Sequence, residues 1–290
     1  MSRSVRILRA VLCAIVLVPG TSLLAQGTLD RIKERGEFRV GYRTDARPLS
    51  FQQNGEPAGY SVDICRRVAT GVREHLKLPD MRVTFVPVTS DNRFDAVVKG
   101  DVDIECGATT ITLRRQELVD FTLMTFVTGG TILAMADKRI AGMSDLAGKR
   151  VAVIRGTTTA DALQTYLKEK LIDARLVPVA DRDAGMAQLQ SGDVDAFASD
   201  QVVLIGEAMR ALEKNRNVSF SFGDDLFSYE PYALMVRRND ADFRLVVNRA
   251  IAQIFRTGQQ AQIFNAWIGT SGVKPAPMLL SMYQVQTLQE

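Results

Sequence analysis

The chain has 290 residues, of which 24% are charged, and its formal net charge at pH 7 is +3. Residues 1–25 hold three arginines and no acid, so the net charge falls to 0 if that segment is removed. A balanced chain lacks the basic surface that a nucleic acid requires. The remaining roughly 265 residues suffice for two modest lobes or one large domain.

The first 25 residues have the layout of a secretory signal peptide. Arg3, Arg6 and Arg9 precede an apolar run over residues 10–19, and small residues follow up to Ala25. A membrane anchor is the alternative, but the run is far shorter than the roughly 20 residues that span a bilayer. We expect cleavage after Ala25, with Ser22 as a second candidate, and therefore a protein that functions in the periplasm.

Strand-like runs alternate with helical patterns along most of the chain. Phe38, Val40 and Tyr42 alternate in the first run, and a helical pattern opens at Ser61. The later strand-like runs cover residues 83–86, 102–106, 151–154, 175–179, 194–198 and 233–236. This alternation predicts an α/β architecture with largely parallel strand pairing.

One segment of the sequence is repeated at an offset of 92 positions. Lys99-Gly100-Asp101-Val102-Asp103-Ile104 is echoed by Ser191-Gly192-Asp193-Val194-Asp195-Ala196. Each copy follows a helical pattern and leads into a predicted strand, and the same offset places Ser90 opposite Arg182. Two similar lobes that face one cleft are the natural interpretation, although Gly-Asp turns are common enough for a chance match.

The lobe boundaries are predicted from two places where the chain crosses between lobes. Gly129-Gly130 interrupts an apolar run, and a later strand ends in charged residues before Asn239. The predicted first lobe is therefore discontinuous, with residues 26–129 and 238–290, and the second lobe is 130–237. Two parallel crossover segments would then form the hinge.

Two cysteines, Cys65 and Cys106, lie beyond the predicted leader. In an oxidising compartment they could form a disulfide that stabilises the fold by roughly 3–4 kcal/mol. Two separate buried thiols are the other interpretation, and the sequence leaves both open because it gives no distance between the two residues.

Hydroxyl and guanidinium groups cluster where predicted strands end. Residues 89–93 contain Ser90 and Arg93, and residues 107–110 contain Ala108 and Thr110, with Arg115 shortly after. Arginine binds a carboxylate through two parallel hydrogen bonds, and hydroxyls or backbone N–H groups at a helix start add further donors. These segments indicate a site for a small carboxylate.

From Thr28 to Pro277 the chain resembles the periplasmic solute-binding proteins that capture amino acids for ABC transporters, family 3, and within them the glutamate/aspartate-binding branch. The resemblance rests on separated motifs that occur in the expected order. They are Thr28-Leu29-Asp30-Arg31-Ile32, Gly41-Tyr42-Arg43, Gly59-Tyr60-Ser61, Val88-Thr89-Ser90-Asp91-Asn92-Arg93, Glu105-Cys106-Gly107-Ala108-Thr109-Thr110, Arg114-Arg115-Gln116, Asp145-Leu146-Ala147-Gly148-Lys149, Gly156-Thr157-Thr158 and Asp200.

The resemblance implies a type II periplasmic-binding-protein fold, in which two α/β lobes joined by two crossover strands close on a ligand. It assigns the ligand's α-carboxylate to one set of groups and its α-ammonium to Asp200. The α-carboxylate set is Arg115, Thr110, the backbone at Ala108, Thr157 and Thr158. The set for a side-chain carboxylate is Arg43, Ser90, Arg93 and Arg182. Surface arginines and helix-capping threonines are the alternative interpretations of these positions.

Three positions depart from the branch pattern, and one of them is Arg155, which stands before Gly156 where a small residue is more usual. Ala108 stands where a serine is common, and Arg182 stands where a histidine is frequent. An acidic amino acid is still favoured as the ligand, but these changes leave open whether the ligand is glutamate, aspartate or a longer dicarboxylate.

A binding protein that delivers its ligand to an ABC transporter permease is therefore expected, as a monomer without cofactor or metal. A periplasmic dehydratase on the same fold is the enzyme alternative, and Glu105 and Glu230 are its candidate acids. A sensor that presents its ligand to a receptor is the third possibility. We see no metal-ligand cluster, no phosphate-binding glycine loop and no histidine suited to serve as a base.

Overall fold

The computed structural model describes residues 26–289, so the predicted leader lies outside the described residues. The α-helices are α1 Thr28–Arg35, α2 Tyr60–Leu76, α3 Arg93–Lys99, α4 Leu113–Gln116, α5 Thr158–Glu169, α6 Arg182–Ser191, α7 Gln201–Lys214, α8 Ala241–Arg256, α9 Gln259–Trp267 and α10 Pro277–Val285. The strands are β1 Glu37–Arg43, β2 Asp45–Ala46, β3 Ser50–Gln53, β4 Glu56–Ala58, β5 Arg82–Val88, β6 Ile104–Glu105, β7 Val119–Met135, β8 Arg150–Ile154, β9 Arg175–Val179, β10 Ala196–Asp200, β11 Phe220–Phe222 and β12 Ser228–Arg237. Short 3-10 helices lie at Ala136–Lys138, Met143–Leu146 and Gly269–Ser271.

The described strands form one mixed sheet that passes through two lobes. Its strand order is β5-β1-β6-β12-β7-β10-β8-β9, with β11 paired to β7, and β2, β3 and β4 form a separate small sheet. In the first lobe β1 pairs in parallel with β5 and β6, and in the second lobe β8 pairs in parallel with β9 and β10. The prediction of two α/β lobes is confirmed.

The two connecting strands lie between these parallel sets. β7 and β12 pair with each other from Val119–Arg237 at one end to Gly130–Ser228 at the other. They are antiparallel, so the prediction of parallel crossover segments is wrong. The sequence showed only the Gly129-Gly130 interruption, whereas β7 runs on through it for 17 residues, none of which is exposed.

Each lobe has its own apolar core. The predicted helical face of α2 is confirmed, since Val62, Cys65, Val68 and Val72 are all buried. Cys65, Val68 and Val72 pack in one cluster with residues of β1 and with Tyr232, Leu234 and Val236 of β12. The second core lies between β8, β10, α5 and α6. The predicted lobe boundary between residues 237 and 238 stays a prediction. The β12 side chains of Tyr232, Leu234 and Val236 lie before that boundary but pack in the core of the first lobe.

The sequence echo corresponds to the same local structure in both lobes. Gly100 and Gly192 end α3 and α6 in the left-handed conformation, at φ 77° and 81°. Directly before the strands that follow, the Asp103 carboxylate accepts from Arg39 N–H at 2.9 Å, and the Asp195 carboxylate accepts from Arg150 N–H at 2.8 Å. Each aspartate thus links the start of the strand that follows it to a neighbouring strand, β1 for Asp103 and β8 for Asp195.

The offset of 92 positions also holds in the turns where the two helices begin. Arg93 and Arg182 are the first residues of α3 and α6. Ser90 lies in the turn directly before α3, and its predicted match with Arg182 is confirmed by the backbone: Arg93 N–H donates to the Thr89 carbonyl at 3.3 Å, and Gly185 N–H donates to the Asp181 carbonyl at 3.2 Å, 92 positions further on.

Cys65 and Cys106 are joined by a disulfide, with their Cα atoms 6.4 Å apart. The bond ties α2 to the residue that follows β6, directly before the segment 107–110. Among residues 26–289 no helix has both the length and the apolar character that crossing a bilayer requires.

Candidate ligand-binding site

The candidate site residues lie where parallel strands end at the cleft between the lobes. Arg43 ends β1 and Asp200 ends β10. Ser90, Thr157 and Arg182 follow β5, β8 and β9 within three residues. Ligands of open α/β sheets bind at the carboxyl ends of the strands because the loops there converge on one crevice.

One end of this cleft is rich in arginine, and we call it the guanidinium end. It consists of Arg43, Asp45, Ser90, Arg93 and Glu105 from the first lobe and Arg182 from the second. Arg43 donates to Ser90 Oγ at 3.4 Å, and Arg93 donates to the Ser90 carbonyl. These two contacts bring the loop after β5 against the end of β1.

Three guanidinium groups at this end are buried with unused donors. Arg43, Arg93 and Arg182 are each at most 4% exposed. Their Nε atoms have no hydrogen-bond partner within the described residues. A buried donor without a partner is costly, so this end of the cleft is suited to receive an acceptor from a ligand.

Asp45 links two of these arginines across the cleft. Its Oδ1 lies 2.7 Å from an Arg43 nitrogen, and its Oδ2 lies 3.1 Å from an Arg182 nitrogen. Burial alone would raise the pKa of Asp45, but Arg182 and Arg43 hold it below its usual value. The Asp45 carboxylate is therefore ionised at neutral pH.

Arg93 is the least neutralised of the three arginines. No ion pair within 4.0 Å joins it to a carboxylate in the part of the chain that the structure describes. Burial lowers its pKa to about 9, partly offset by Glu105. It is still charged at neutral pH, and its ring contact is with Phe94 at 4.8 Å.

Glu105 is the counter-ion beneath this end. Its side chain is fully buried, and its Oε2 accepts from Thr109 Oγ1 at 3.0 Å. Burial raises its pKa, and the opposing influence of Arg93 and Arg43 is smaller. Three arginines thus face two acids here, which leaves an excess of one positive charge when both acids are ionised.

The other end of the cleft we call the threonine end. It consists of Thr110, Arg115, Thr157, Thr158, Asp200 and Glu230. Glu230 Oε2 accepts from Thr110 Oγ1 at 2.6 Å and lies 2.7 Å from Thr158 Oγ1. The two threonine oxygens are 3.1 Å apart, so the hydroxyls of both lobes meet on one carboxylate oxygen.

Arg115 and Asp200 complete the threonine end. Arg115 donates to the Thr110 carbonyl at 2.8 Å; burial lowers its pKa, and the charges of Glu230 and Asp200 oppose that shift. Asp200 accepts from Thr159 Oγ1 at 2.6 Å and from the Tyr232 hydroxyl. Burial, and next to it the charge of Glu230, raises the pKa of Asp200.

Thr157 acts in the local structure of its helix. Its hydroxyl accepts from Ala160 N–H at 3.2 Å and donates to the Ile154 carbonyl at 2.8 Å, so it caps α5. Ala108 is partly exposed between Gly107 and Thr109 and offers only its backbone groups. The capping interpretation of Thr157 is thus confirmed, and Thr158 is the threonine that reaches across the cleft.

The lobes also touch outside these two ends. A Cβ on Gly206 of α7 would lie 2.5 Å from the Arg47 carbonyl oxygen. Val202 and Val203 of α7 pack in the core of the first lobe. Glycine is required at position 206 because any side chain would hold the two surfaces apart.

The sequence motifs did not indicate every residue of the site. Asp45 and Tyr232 were missed, while Glu105 and Glu230 were considered only as acids of an enzyme. Alternation along extended chain could have found them, since Asp45 lies two residues after Arg43 and Tyr232 two residues after Glu230.

Two α/β lobes that meet over a buried cleft of paired charges are the architecture of a solute-binding protein. Residues 38–270 match the bacterial extracellular solute-binding proteins, family 3, and the chain belongs to that family. An L-glutamate/L-aspartate-binding protein of Pseudomonas aeruginosa is 32% identical over 97% of this chain and 92% of its own length.

Solved structures show the same fold. A mutant of ArgBP from T. maritima has a TM-score of 0.71 at 25% identity and covers 83% of this chain and 99% of its own. The ancestral amino acid-binding protein AncCDT-1, described as a precursor of cyclohexadienyl dehydratase, has a TM-score of 0.69 at 29% identity, with coverages of 83% and 99%.

Proposed function

We propose that the protein captures an acidic amino acid, glutamate or aspartate, in the periplasm and delivers it to an ABC transporter permease. The observation that carries this proposal is the set of three buried arginines with unpartnered Nε atoms at one end of the cleft. The glutamate/aspartate-binding relative supports the same ligand class.

The two ends of the cleft receive different parts of the ligand. The side-chain carboxylate lies at the guanidinium end, where Arg93 is its main partner. The α-carboxylate takes donors from Arg115 and the segment 108–110, and the ammonium group pairs with Asp200. All three charges of the ligand then have partners once water is expelled, as burial demands.

These contacts provide enough free energy for tight binding. A charge-assisted hydrogen bond contributes roughly 1.5–3 kcal/mol, and micromolar affinity requires about −8 kcal/mol. A few such bonds reach that value after the cost of association. The ligand stabilises the closed form only to the extent that it binds that form better than the open form.

The acids of the cleft serve as fixed counter-ions in this proposal. Glu230 accepts from Thr110 and Ser228, and Glu105 lies under the arginines. We therefore propose binding without turnover, and nuclear magnetic resonance of a bound amino acid should show it unchanged after prolonged incubation. Accumulation of a product would establish the dehydratase-like enzyme instead.

Identification of the natively bound solute tests the proposal directly. The protein is purified without unfolding, denatured, and the released small molecules are identified by mass spectrometry. Glutamate or aspartate in near-stoichiometric amount is expected. A cationic or aromatic amino acid would overturn the assignment of the ligand. Small-angle scattering should show compaction on saturation, and an unchanged radius of gyration would contradict closure.

A further inference from the structure

The ion pairs of Asp45 join the two lobes. Arg43 and Asp45 belong to the first lobe, and Arg182 begins α6 of the second. Different carboxylate oxygens face the two arginines, and the side chains of Arg43 and Arg182 are only 4% and 5% exposed. The Arg182–Asp45 contact requires that the lobes meet, since its two halves come from opposite sides of the cleft.

Arg43 and Arg182 are two buried cations on one carboxylate, and without that shared anion they would repel each other. The charge of Arg182 lowers the pKa of Arg43, next to the larger influence of burial. Burial alone would lower the pKa of Arg182 too, but Asp45, Asp200 and Glu207 raise it above its usual value. Asp45 thus neutralises a pair of charges that an acidic ligand would otherwise have to neutralise alone.

Asp45 determines the net charge of the cleft. The cleft holds the arginines 43, 93, 115 and 182 and the acids Asp45, Glu105, Asp200 and Glu230. With every group ionised, the cleft is neutral. Without Asp45 it would carry one positive charge, which is the complement of a singly negative amino acid such as glutamate.

We propose that Asp45 is a resident anion of the cleft, which latches the lobes through Arg182 and lowers the preference of the site for an acidic amino acid over its amide. The specificity part of this inference rests on the proposed function. The latch does not, because it concerns the protein without ligand.

Ligand binding by two variants of opposite charge tests the specificity part. Isothermal titration with glutamate and glutamine gives the ratio of their dissociation constants for the wild type, Asp45→Asn and Arg182→Gln. Asp45→Asn should increase the preference for glutamate about tenfold, because only the carboxylate ligand replaces the lost anion. Arg182→Gln should reduce that preference.

Two control variants separate charge from closure. Asp91→Asn removes an exposed acid of the neighbouring loop and should leave the ratio unchanged. Gly206→Ala disturbs the contact between α7 and Arg47 without changing any charge, so it should weaken both ligands equally. An unchanged ratio in Asp45→Asn, or the same shift in Asp91→Asn, would overturn the specificity part. Asp45→Ser replaces Asp45→Asn if the latter does not fold.

Small-angle scattering of the ligand-free protein tests the latch. Asp45→Asn and Arg182→Gln should each expand the stripped protein, and the double variant should expand no further than either single variant. Equal radii for the wild type and both single variants would overturn the latch. If the wild type binds neither glutamate nor aspartate, the proposed function fails, while this scattering comparison still decides the latch.

Discussion

At both ends of the cleft, polar groups of the two lobes contact each other, but the groups differ between the ends. At the guanidinium end, charges from both lobes meet through a carboxylate between two arginines, at 2.7 and 3.1 Å. At the threonine end, neutral hydroxyls from both lobes meet on Glu230, at 2.6 and 2.7 Å. The first end holds an excess of cations and the second an excess of acids.

This difference indicates how one cleft handles a zwitterion with a second carboxylate. Excess donors at the guanidinium end favour an acceptor, and the unpaired charge of Asp200 or Glu230 at the threonine end favours an ammonium group. Hydroxyls adapt to either partner because each can donate and accept. Variants at each end should therefore change binding in different ways.

The largest effect is expected for Arg115→Ala at the threonine end. Binding of every amino acid should weaken at least about a hundredfold, since the α-carboxylate loses a charged partner and the Thr110 carbonyl loses its donor. Titration with glutamate and glutamine measures the change. Arg114→Ala is the matched control because Arg114 is exposed beside it. Loss confined to acidic ligands would contradict the assignment.

Arg93→Ala should break the guanidinium end selectively. Glutamate affinity should fall by about tenfold to a hundredfold, while glutamine loses much less, because only the carboxylate requires the charge. The same titrations on Arg175→Ala, an exposed arginine at the start of β9, provide the control. Equal losses for glutamate and glutamine would show that Arg93 does not bind the side chain.

Gly206→Ala should weaken both ends together. The added Cβ would lie 2.5 Å from the Arg47 carbonyl oxygen and hold the lobes apart. We expect a loss of roughly tenfold for every ligand with an unchanged ranking. Gly142→Ala, where the nearest atom is 3.9 Å away, is the control. A change in ligand ranking would mean that α7 contacts the ligand.

A smaller effect is expected from proton exchange at Asp200. Its pKa is raised by burial and by Glu230, so the carboxyl group holds its proton to a higher pH than an ordinary aspartate does. An ammonium partner favours the ionised form, so binding should release protons at a pH above the usual range of aspartate, where the glutamate side chain with a pKa of about 4.3 is already ionised. The affinity for glutamate should fall as the pH is lowered toward the pKa of ordinary carboxyl groups.

Titration in buffers with different ionisation enthalpies measures this release. Asp200→Glu retains the carboxyl group and should retain the release, whereas Asp200→Asn should abolish it together with most of the affinity. Proton uptake on binding by the wild type would contradict the pairing of Asp200 with the ammonium group.

The sequence predicted the lobes better than the contacts within the cleft. Local patterns such as the buried face of α2 and the echo around Asp103 and Asp195 depend on neighbouring residues, so they were readable in advance. The antiparallel course of β7 and β12 depends on pairing between residues about 100 positions apart. Nothing in a local pattern specifies such a partner.

In the site, too, the residues of local motifs were predicted and a contact between the lobes was missed. Arg43, Ser90, Arg93 and Arg182 were predicted, and the structure brings them to one end of the cleft. The intervening Asp45 was missed because a single acid near a turn has many possible roles. Its role became visible only when the second lobe placed Arg182 against it.

The most direct test of the account is isothermal titration of the mature chain after unfolding and refolding to remove any bound solute. The ligands are glutamate, aspartate, glutamine, asparagine and a dicarboxylate without an amine. Glutamate or aspartate should bind with micromolar or tighter affinity, and their amides should bind more weakly. Preference for the plain dicarboxylate would contradict the role of Asp200, and absence of binding across the panel would contradict the proposed function.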